Sequence, residues 1–193
     1  MKLTLVAITI AIVVGLLAGG GLSNLATARI RWSILALVGL ALQLPPLPGR
    51  GLSLGLLFVS FGILLVFALA NLRLPGVALI LLGLAMNFSV IAANGGMPVT
   101  RSALLASGQQ DTLEVLVHDG GAKHHLASQS DVLIPLADVI PLPGLHQAVS
   151  PGDVATYMGV IWLIVWCMRR RGLSPEPATR RWPVEPERAH VGS

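Results

Sequence analysis

Apolar residues occupy this chain in five long blocks, and polar residues fall almost entirely between them. The blocks cover about 3–21, 30–44, 52–70, 76–93 and 153–168. An α-helix rises about 1.5 Å per residue, so runs of this kind suit a hydrocarbon layer about 30 Å thick. The breaks are sharp. Pro45-Pro46-Leu47-Pro48-Gly49-Arg50 ends the second block, because proline cannot continue the helical hydrogen-bond ladder. Asn71-Leu72-Arg73-Leu74-Pro75-Gly76 links the third block to the fourth, with Pro75 where a first helical turn tolerates it. Links this short make antiparallel neighbours. The pattern predicts an all-α integral membrane protein of five transmembrane helices, with one outer-face segment, residues 94–152, between helices four and five.

Composition strengthens that reading and narrows the function classes. Of 193 residues, 54% are hydrophobic and 11% charged, whereas a soluble domain carries roughly a quarter charged residues. One membrane domain over 1–171 uses nearly the whole length and leaves no room for a separate soluble enzyme. The net charge of +4 does not indicate nucleic acid, because Arg169, Arg170, Arg171, Arg180, Arg181 and Arg188 all follow Trp166. Basic residues grouped just past an apolar helix set topology instead. With Arg29, Arg31, Arg73 and Arg169 to Arg171 inside, and Lys2, Arg50, Arg101 and Lys123 outside, the N-terminus lies outside and the C-terminus inside the cytoplasmic membrane. Residues 172–193, rich in Pro, Arg and Glu, are expected to form a disordered cytoplasmic tail. Lys2 and Ala26-Thr27-Ala28 also fit a cleaved signal peptide. Cleavage would place Arg169 to Arg171 outside, so an uncleaved first helix is expected. A single Cys167 excludes an internal disulfide and any paired-cysteine site; no cofactor and no metal is expected.

The interval from Asn94 to Asp153 carries the candidate chemistry, since no Asp or Glu precedes Asp111. Gly83, Asn87 and Asn94 recur at spacings of four and seven, which puts them on one stripe of the fourth helix. An Asn facing lipid would leave its polar groups unpaired at several kcal/mol, so the stripe should face the bundle, where an interhelical hydrogen bond is the simplest role. Gly95 and Gly96 follow Asn94 and complete a polar cluster at the helix end. Gly15 and Gly19 form a similar small-residue face for close packing in the first helix. In the interval itself, Thr100 caps a short helix, Asp119-Gly120-Gly121 makes a turn, and the proline-broken run Val132 to Pro141 lies against the bundle. His118, His124 and His125 have no metal-ligand spacing; a solvated loop, a pH-sensitive patch and a substrate contact all remain open for them.

Asp138 and Asp153 form the sharper pair. No span separates them, so they share one membrane face, and each adjoins an apolar stretch. Two carboxylates brought close share a proton, which supplies one acid and one base for activating water. Asp153 alone is explained by capping of the fifth helix.

The stretches Gly83-Leu84-Ala85-Met86-Asn87, Asn94-Gly95-Gly96-Met97-Pro98-Val99, Ala137-Asp138-Val139-Ile140-Pro141 and Ser150-Pro151-Gly152-Asp153 resemble, in this order, a family of bacterial five-span membrane proteins, domain of unknown function 5317. The resemblance covers the chain to about Arg171 and implies an outer-face site without supplying a substrate. A more local likeness is to lipoprotein signal peptidase, on Asn94 with Gly96, Asp138 with Ile140 and Pro143, and Asp153 with Gly159. It implies an aspartyl dyad of Asp138 and Asp153 supported by Asn94. The chain departs from that family in having five spans rather than four and in lacking its Gly-rich helix before the first catalytic Asp.

Three function classes follow. A hydrolase would use Asp138 and Asp153 on a membrane-embedded substrate. A small transporter would need ionisable groups inside the spans, and no acid lies in the first four. An assembly partner would use the outer segment and the basic tail. In each case the lipid bilayer is the first partner and nucleic acid is excluded.

Overall fold

Helix α1 (Lys2–Leu17) opens the fold, described by a computed structural model over residues 2–26, 28–44, 49–118 and 120–170. The tail 172–193, Asp119 and the proline run 45–48 lie outside the described residues. Helix α1 ends four residues before the predicted boundary at Gly21. Gly19 takes a φ of +77°, the Gly20 N–H donates back to the Gly15 carbonyl at 2.9 Å, and the Gly21 N–H donates to the Met168 carbonyl at 2.9 Å. A Cβ on Gly20 would lie 2.8 Å from the Met168 backbone, so the glycines both stop the helix and admit the end of the last one.

A short α2 (Leu22–Ala26) leads to α3 (Ser33–Ala41), which is nine residues long. The predicted block 30–44 is longer; Trp32 stands at the helix start with left-handed φ 54° and ψ 38°, which closes off an earlier beginning. Helices α4 (Arg50–Ala70) and α5 (Val77–Asn94) match their blocks. The cap then runs through β1 (Met97–Val99), α6 (Arg101–Ala106), α7 (Gln110–His118), β2 (His124–Leu126), β3 (Ile140–Leu142) and β4 (Gln147–Val149) before α8 (Pro151–Arg169). Helices α4, α5 and α8 are long and apolar enough to cross a membrane. Helix α1, at 16 residues, is apolar but shorter.

The helices lie in the packing order α1, α8, α5, α4, α3. Leu57, Phe61, Leu64, Ile80, Leu84 and Leu163 fill the core between α4, α5 and α8, and Phe58 meets Phe88 edge to face at 5.8 Å. The outer faces stay apolar: Leu52, Val59, Val66 and Leu69 of α4 and Trp162 of α8 are all exposed. The α5–α8 contact is set by glycines spaced seven apart on both helices. A Cβ on Gly83 would run into the Gly152 carbonyl oxygen and Thr156, and one on Gly76 into the Gly159 carbonyl. Pairs 76 with 159 and 83 with 152 require antiparallel helices with nearly touching backbones.

The cap corrects the all-α expectation, because it contains two small sheets among its helices. β1 pairs with β2 in parallel, Met97 opposite His124, and β3 pairs with β4 antiparallel, Ile140 opposite Val149. Strands of three residues are too short to show a period of two, and their partners are remote in sequence. Thr100 begins α6 as expected, its Oγ1 accepting from the Ala103 N–H at 3.4 Å. The run from Val132 packs on α5 and α8 through a single 3-10 turn at Ile134–Leu136.

Candidate functional site

Asn87 sits one helical turn past Gly83, so the close approach of α8 that Gly83 permits brings the Asn87 amide against Gly152. A Cβ at Gly152 would collide with Asn87 Oδ1. In that gap the amide finds both its partners: Nδ2 donates to Asp153 Oδ1 at 2.7 Å, and Oδ1 accepts from Ser150 Oγ at 2.8 Å. Asp153 in turn closes a capping box at the start of α8. Its N–H donates to Ser150 Oγ at 2.9 Å, and its Oδ2 accepts from the Ser150 N–H at 3.2 Å. Capping and interhelical bonding thus meet on one carboxylate, and each Asp153 oxygen keeps acceptor capacity for a further donor.

Ser150 is fully buried and serves both bonds. Ser150→Ala is expected to lower unfolding stability by about 2–3 kcal/mol, from the lost cap and the orphaned Asn87 oxygen, read by chemical denaturation in detergent. Restored stability in Ser150→Thr, which keeps the hydroxyl, checks that the hydroxyl is the cause.

Asp138 reaches the same region from the cap. Its N–H donates to the Pro98 carbonyl at 3.1 Å, and its carbonyl accepts from the Thr100 N–H at 3.2 Å, so the residue runs alongside β1 at Val99. β1 has His124 on its other edge. The result places the His124 Nε2 3.7 Å from Asp138 Oδ2. Asp138 is 5% exposed. Burial, reinforced by the negative charge of Asp153, pushes its carboxyl up to about 8, so it holds its proton at neutral pH. Burial also holds the His124 imidazole below its ordinary value; the charge of Asp153 opposes this, while Lys123 and His125 assist it. About half of the His124 side chain is open, at 53%, and the residue lines two cavities.

The inner cavity, about 210 Å³, is lined by Asp138, Asp153, Asn87, His124 and Lys123 on its polar side and by Leu57, Phe61, Ile91 and Met97 on its apolar side. The outer one, about 480 Å³, opens under α7 and β4 past Thr112, Gln109 and Gln147. Lys123, His124 and Asp138 line both. Lys123 is held by its Nζ donating to the Gln43 carbonyl at 2.6 Å.

The other candidate residues stand apart from this cavity. Asn94 binds the cap instead: its Oδ1 accepts from the Val132 N–H at 2.8 Å, and its Nδ2 donates to the Val132 and Val90 carbonyls at 3.0 and 2.9 Å. It fixes the start of the segment that carries Asp138. Gly95, with φ 61°, ends α5. Gly96, with φ 146°, lies beside β2, where a Cβ would come 3.1 Å from the Lys123 carbonyl. His125 pairs with Asp131 at 3.0 Å. Although burial opposes it, bonds from Ser128 and His125 hold Asp131 below the usual carboxylate range. His118 sits in the last turn of α7. Among the described residues no three His, Cys, Asp or Glu side chains converge as a metal site. Lys123 and His124 were not singled out as partners of the Asp pair by sequence; only strand pairing brings them there.

Residues 51–165, more than half of the chain, match a family of unknown function, DUF5317, and the chain belongs to that family. The matched stretch contains Asn87, Lys123, His124, Asp138 and Asp153, and it leaves α1 to α3 outside. An uncharacterized protein of Thermotoga maritima is 32% identical over 111 residues, covering 55% of this chain. The chain spans about three fifths, 61%, of the length of that relative. No solved structure matches.

Proposed function

We propose that this member of the DUF5317 family is a five-span protein of the cytoplasmic membrane that hydrolyses an ester or amide in a membrane-embedded substrate, using Asp138 and Asp153. The cap would face outward, with the N-terminus outside and the C-terminus inside. Lys2, Arg50, Arg101 and Lys123 would then lie on the outer side, and Arg29, Arg31, Arg73, Arg169 and Arg170 within. The observation that carries the chemical reading is one cavity lined by a neutral, buried Asp138 and by Asp153. A carboxyl that keeps its proton beside a second carboxyl able to accept one supplies an acid and a base.

In the proposed reaction, water adds its oxygen to the scissile carbonyl carbon while Asp153 takes the water proton. Asp138 delivers its own proton to the leaving oxygen or nitrogen as the carbon–heteroatom bond breaks. Asn87 holds Asp153 in place, and the Asp153 proton returns to Asp138 through solvent to reset the pair. The apolar wall of Leu57, Phe61 and Ile91 would hold the substrate's lipid-soluble part, and the outer cavity its polar part. Asp153 disfavours an anionic scissile group, so a phosphate ester fits this cavity less well than a neutral carbonyl.

The test is to incubate the purified full-length protein with detergent-solubilised bacterial membrane lipids and peptides and follow product release by mass spectrometry. Asp138→Asn and Asp153→Asn should each lower turnover at least about a hundredfold while Asp131→Asn leaves it unchanged. Equal turnover in all four proteins would remove the hydrolytic reading.

A further inference from the structure

At the end of the bundle away from the cap, Arg29, Arg31 and Arg73 line one crevice of about 520 Å³ with Leu69, Asn71 and Leu72. Its walls are tied together by a buried side chain. Asn71 is 3% exposed; its Oδ1 accepts from the Arg31 N–H at 2.9 Å, and its Nδ2 donates to the carbonyls of Arg31 and Phe67, both at 2.9 Å. An amide that bonds the main chain of two segments in this way acts as a fixed bracket. It holds the link before α3 against the end of α4, which sets two arginines of one segment beside the third of another.

Among the described residues the charge in this crevice is one-sided. No Asp or Glu precedes Asp111, and the ion pairs among the described residues are His124–Asp138 and His125–Asp131, both in the cap. Guanidinium groups gathered without a carboxylate repel one another, and an anion between them relieves that repulsion. The guanidinium fork suits the oxygens of a phosphate in particular, through paired charge-assisted bonds. Two further features select the source of the phosphate. Leu69 and Leu72 are exposed on the crevice wall, as an acyl chain would require. Trp32, also exposed, lies under the Arg31 guanidinium at 5.7 Å, and an exposed Trp beside basic residues marks headgroup level.

We propose that this crevice binds the phosphate-bearing headgroup of an anionic lipid, with Arg29, Arg31 and Arg73 on the phosphate oxygens and Leu69 and Leu72 against the acyl chains. The site is remote from the cap cavity and does not depend on any reaction there. It joins three segments, the α2–α3 link, the end of α4 and the α4–α5 link, so an occupied site would brace that end of the bundle.

Native mass spectrometry of the full-length protein, exchanged from phosphatidylcholine into mixtures with a minor fraction of phosphatidylglycerol, tests this. The wild type should retain a single phosphatidylglycerol. Arg29→Gln, Arg31→Gln and Arg73→Gln should each weaken that retention about fivefold, and the triple variant roughly a hundredfold. Phosphatidylcholine retention should be unchanged, as should phosphatidylglycerol retention in Arg101→Gln, whose charge lies in the cap. These substitutions are at exposed positions, and a circular dichroism spectrum matching the wild type confirms the fold in each. Retention equal to the wild type in the triple variant would overturn the proposal, and so would an equal loss in Arg101→Gln, which would mean a general charge effect. A third arm adds millimolar inorganic phosphate to protein in pure phosphatidylcholine and to protein already loaded with phosphatidylglycerol. Arginine-dependent thermal stabilisation there, with displacement of phosphatidylglycerol, would identify free phosphate and overturn the lipid assignment.

Discussion

Gly152→Ala is expected to leave little folded protein in detergent, while Gly55→Ala, in the second turn of α4, is expected to be neutral or mildly stabilising. Both add one methyl group to a helix, in whose interior alanine is intrinsically favoured over glycine by about 0.5–1 kcal/mol; Gly152 lies in the first turn of α8. Their surroundings decide the outcome. Nothing lies within 4 Å of a Cβ built on Gly55, whereas one on Gly152 meets Asn87 Oδ1, Asn87 Cγ at 2.7 Å and the Gly83 carbonyl at 2.8 Å. Two of those atoms belong to an amide that cannot move without releasing Asp153 and Ser150, and the third is backbone. Overpacking costs about 1–3 kcal/mol, and the broken bonds to buried or charged partners add about 1–3 kcal/mol more. The sum, about 2–6 kcal/mol, rivals the whole stability of an ordinary domain, about 5–15 kcal/mol. Denaturant titration followed by circular dichroism checks the ranking. The double variant Gly152→Ala with Asn87→Ala should recover part of the loss, because it removes two of the three atoms the new methyl strikes. A Gly152→Ala protein within about 0.5 kcal/mol of the wild type, the usual range for a surface substitution, would mean that α5 and α8 are not in backbone contact there.

The same glycines explain how far the chain could be read. Gly83 and Asn87 share a stripe by spacing alone, and burial of that stripe follows from the cost of exposing an amide to lipid. The serine-proline start of α8 gives away the cap at Asp153. What spacing could not give is the partner helix, since Gly152 and Gly159 look like ordinary residues of an apolar block until their spacing of seven is set against Gly76 and Gly83 in antiparallel order. Helix ends depart from the hydropathy blocks where glycine or backbone conformation outweighs hydropathy: Gly19 to Gly21 end α1 early, and left-handed Trp32 delays α3.

The cap was the least legible part. Asp138 meets His124 because both flank a three-residue strand, through pairings between segments far apart in sequence. Hydropathy shows that Val132 to Pro141 is too apolar for a solvated loop; it does not show which strand edge receives it. Asn94 illustrates the reverse case. Its place at the end of α5 suggests a site residue, but its two polar atoms are all engaged by Val132 and Val90, so its contribution to Asp138 is one of position.

Stability measured against pH should separate these assignments, with a fall between about pH 6.5 and pH 8 in the wild type and none in Asp138→Asn. Asp138 has a folded value near 8 and a reference value of 3.8. Between those limits the folded chain keeps a proton that the unfolded chain has lost, so stability declines as pH rises, by at most about 1.4 kcal/mol per unit. The contribution is fully present below about pH 4 and gone above about pH 8. His124 works the other way. Its value is lowered from 6.5, so below about that pH the unfolded chain binds the extra proton, and stability gains as pH rises toward it. Between the lowered His124 value and about pH 6.5 the two trends oppose each other, and above 6.5 only the Asp138 contribution remains. Asn at 138 is the uncharged isostere and carries no such titration, so its curve should be flat through the upper window and should rise through the lower one. A wild-type curve that is level from pH 6.5 to 8, or an Asp138→Asn curve with the wild-type slope, would place the proton elsewhere. The same titration limits the proposed acid catalysis: once Asp138 ionises it has no proton to give a leaving group, so the proposed hydrolysis should decline above about pH 8 as the folded state weakens.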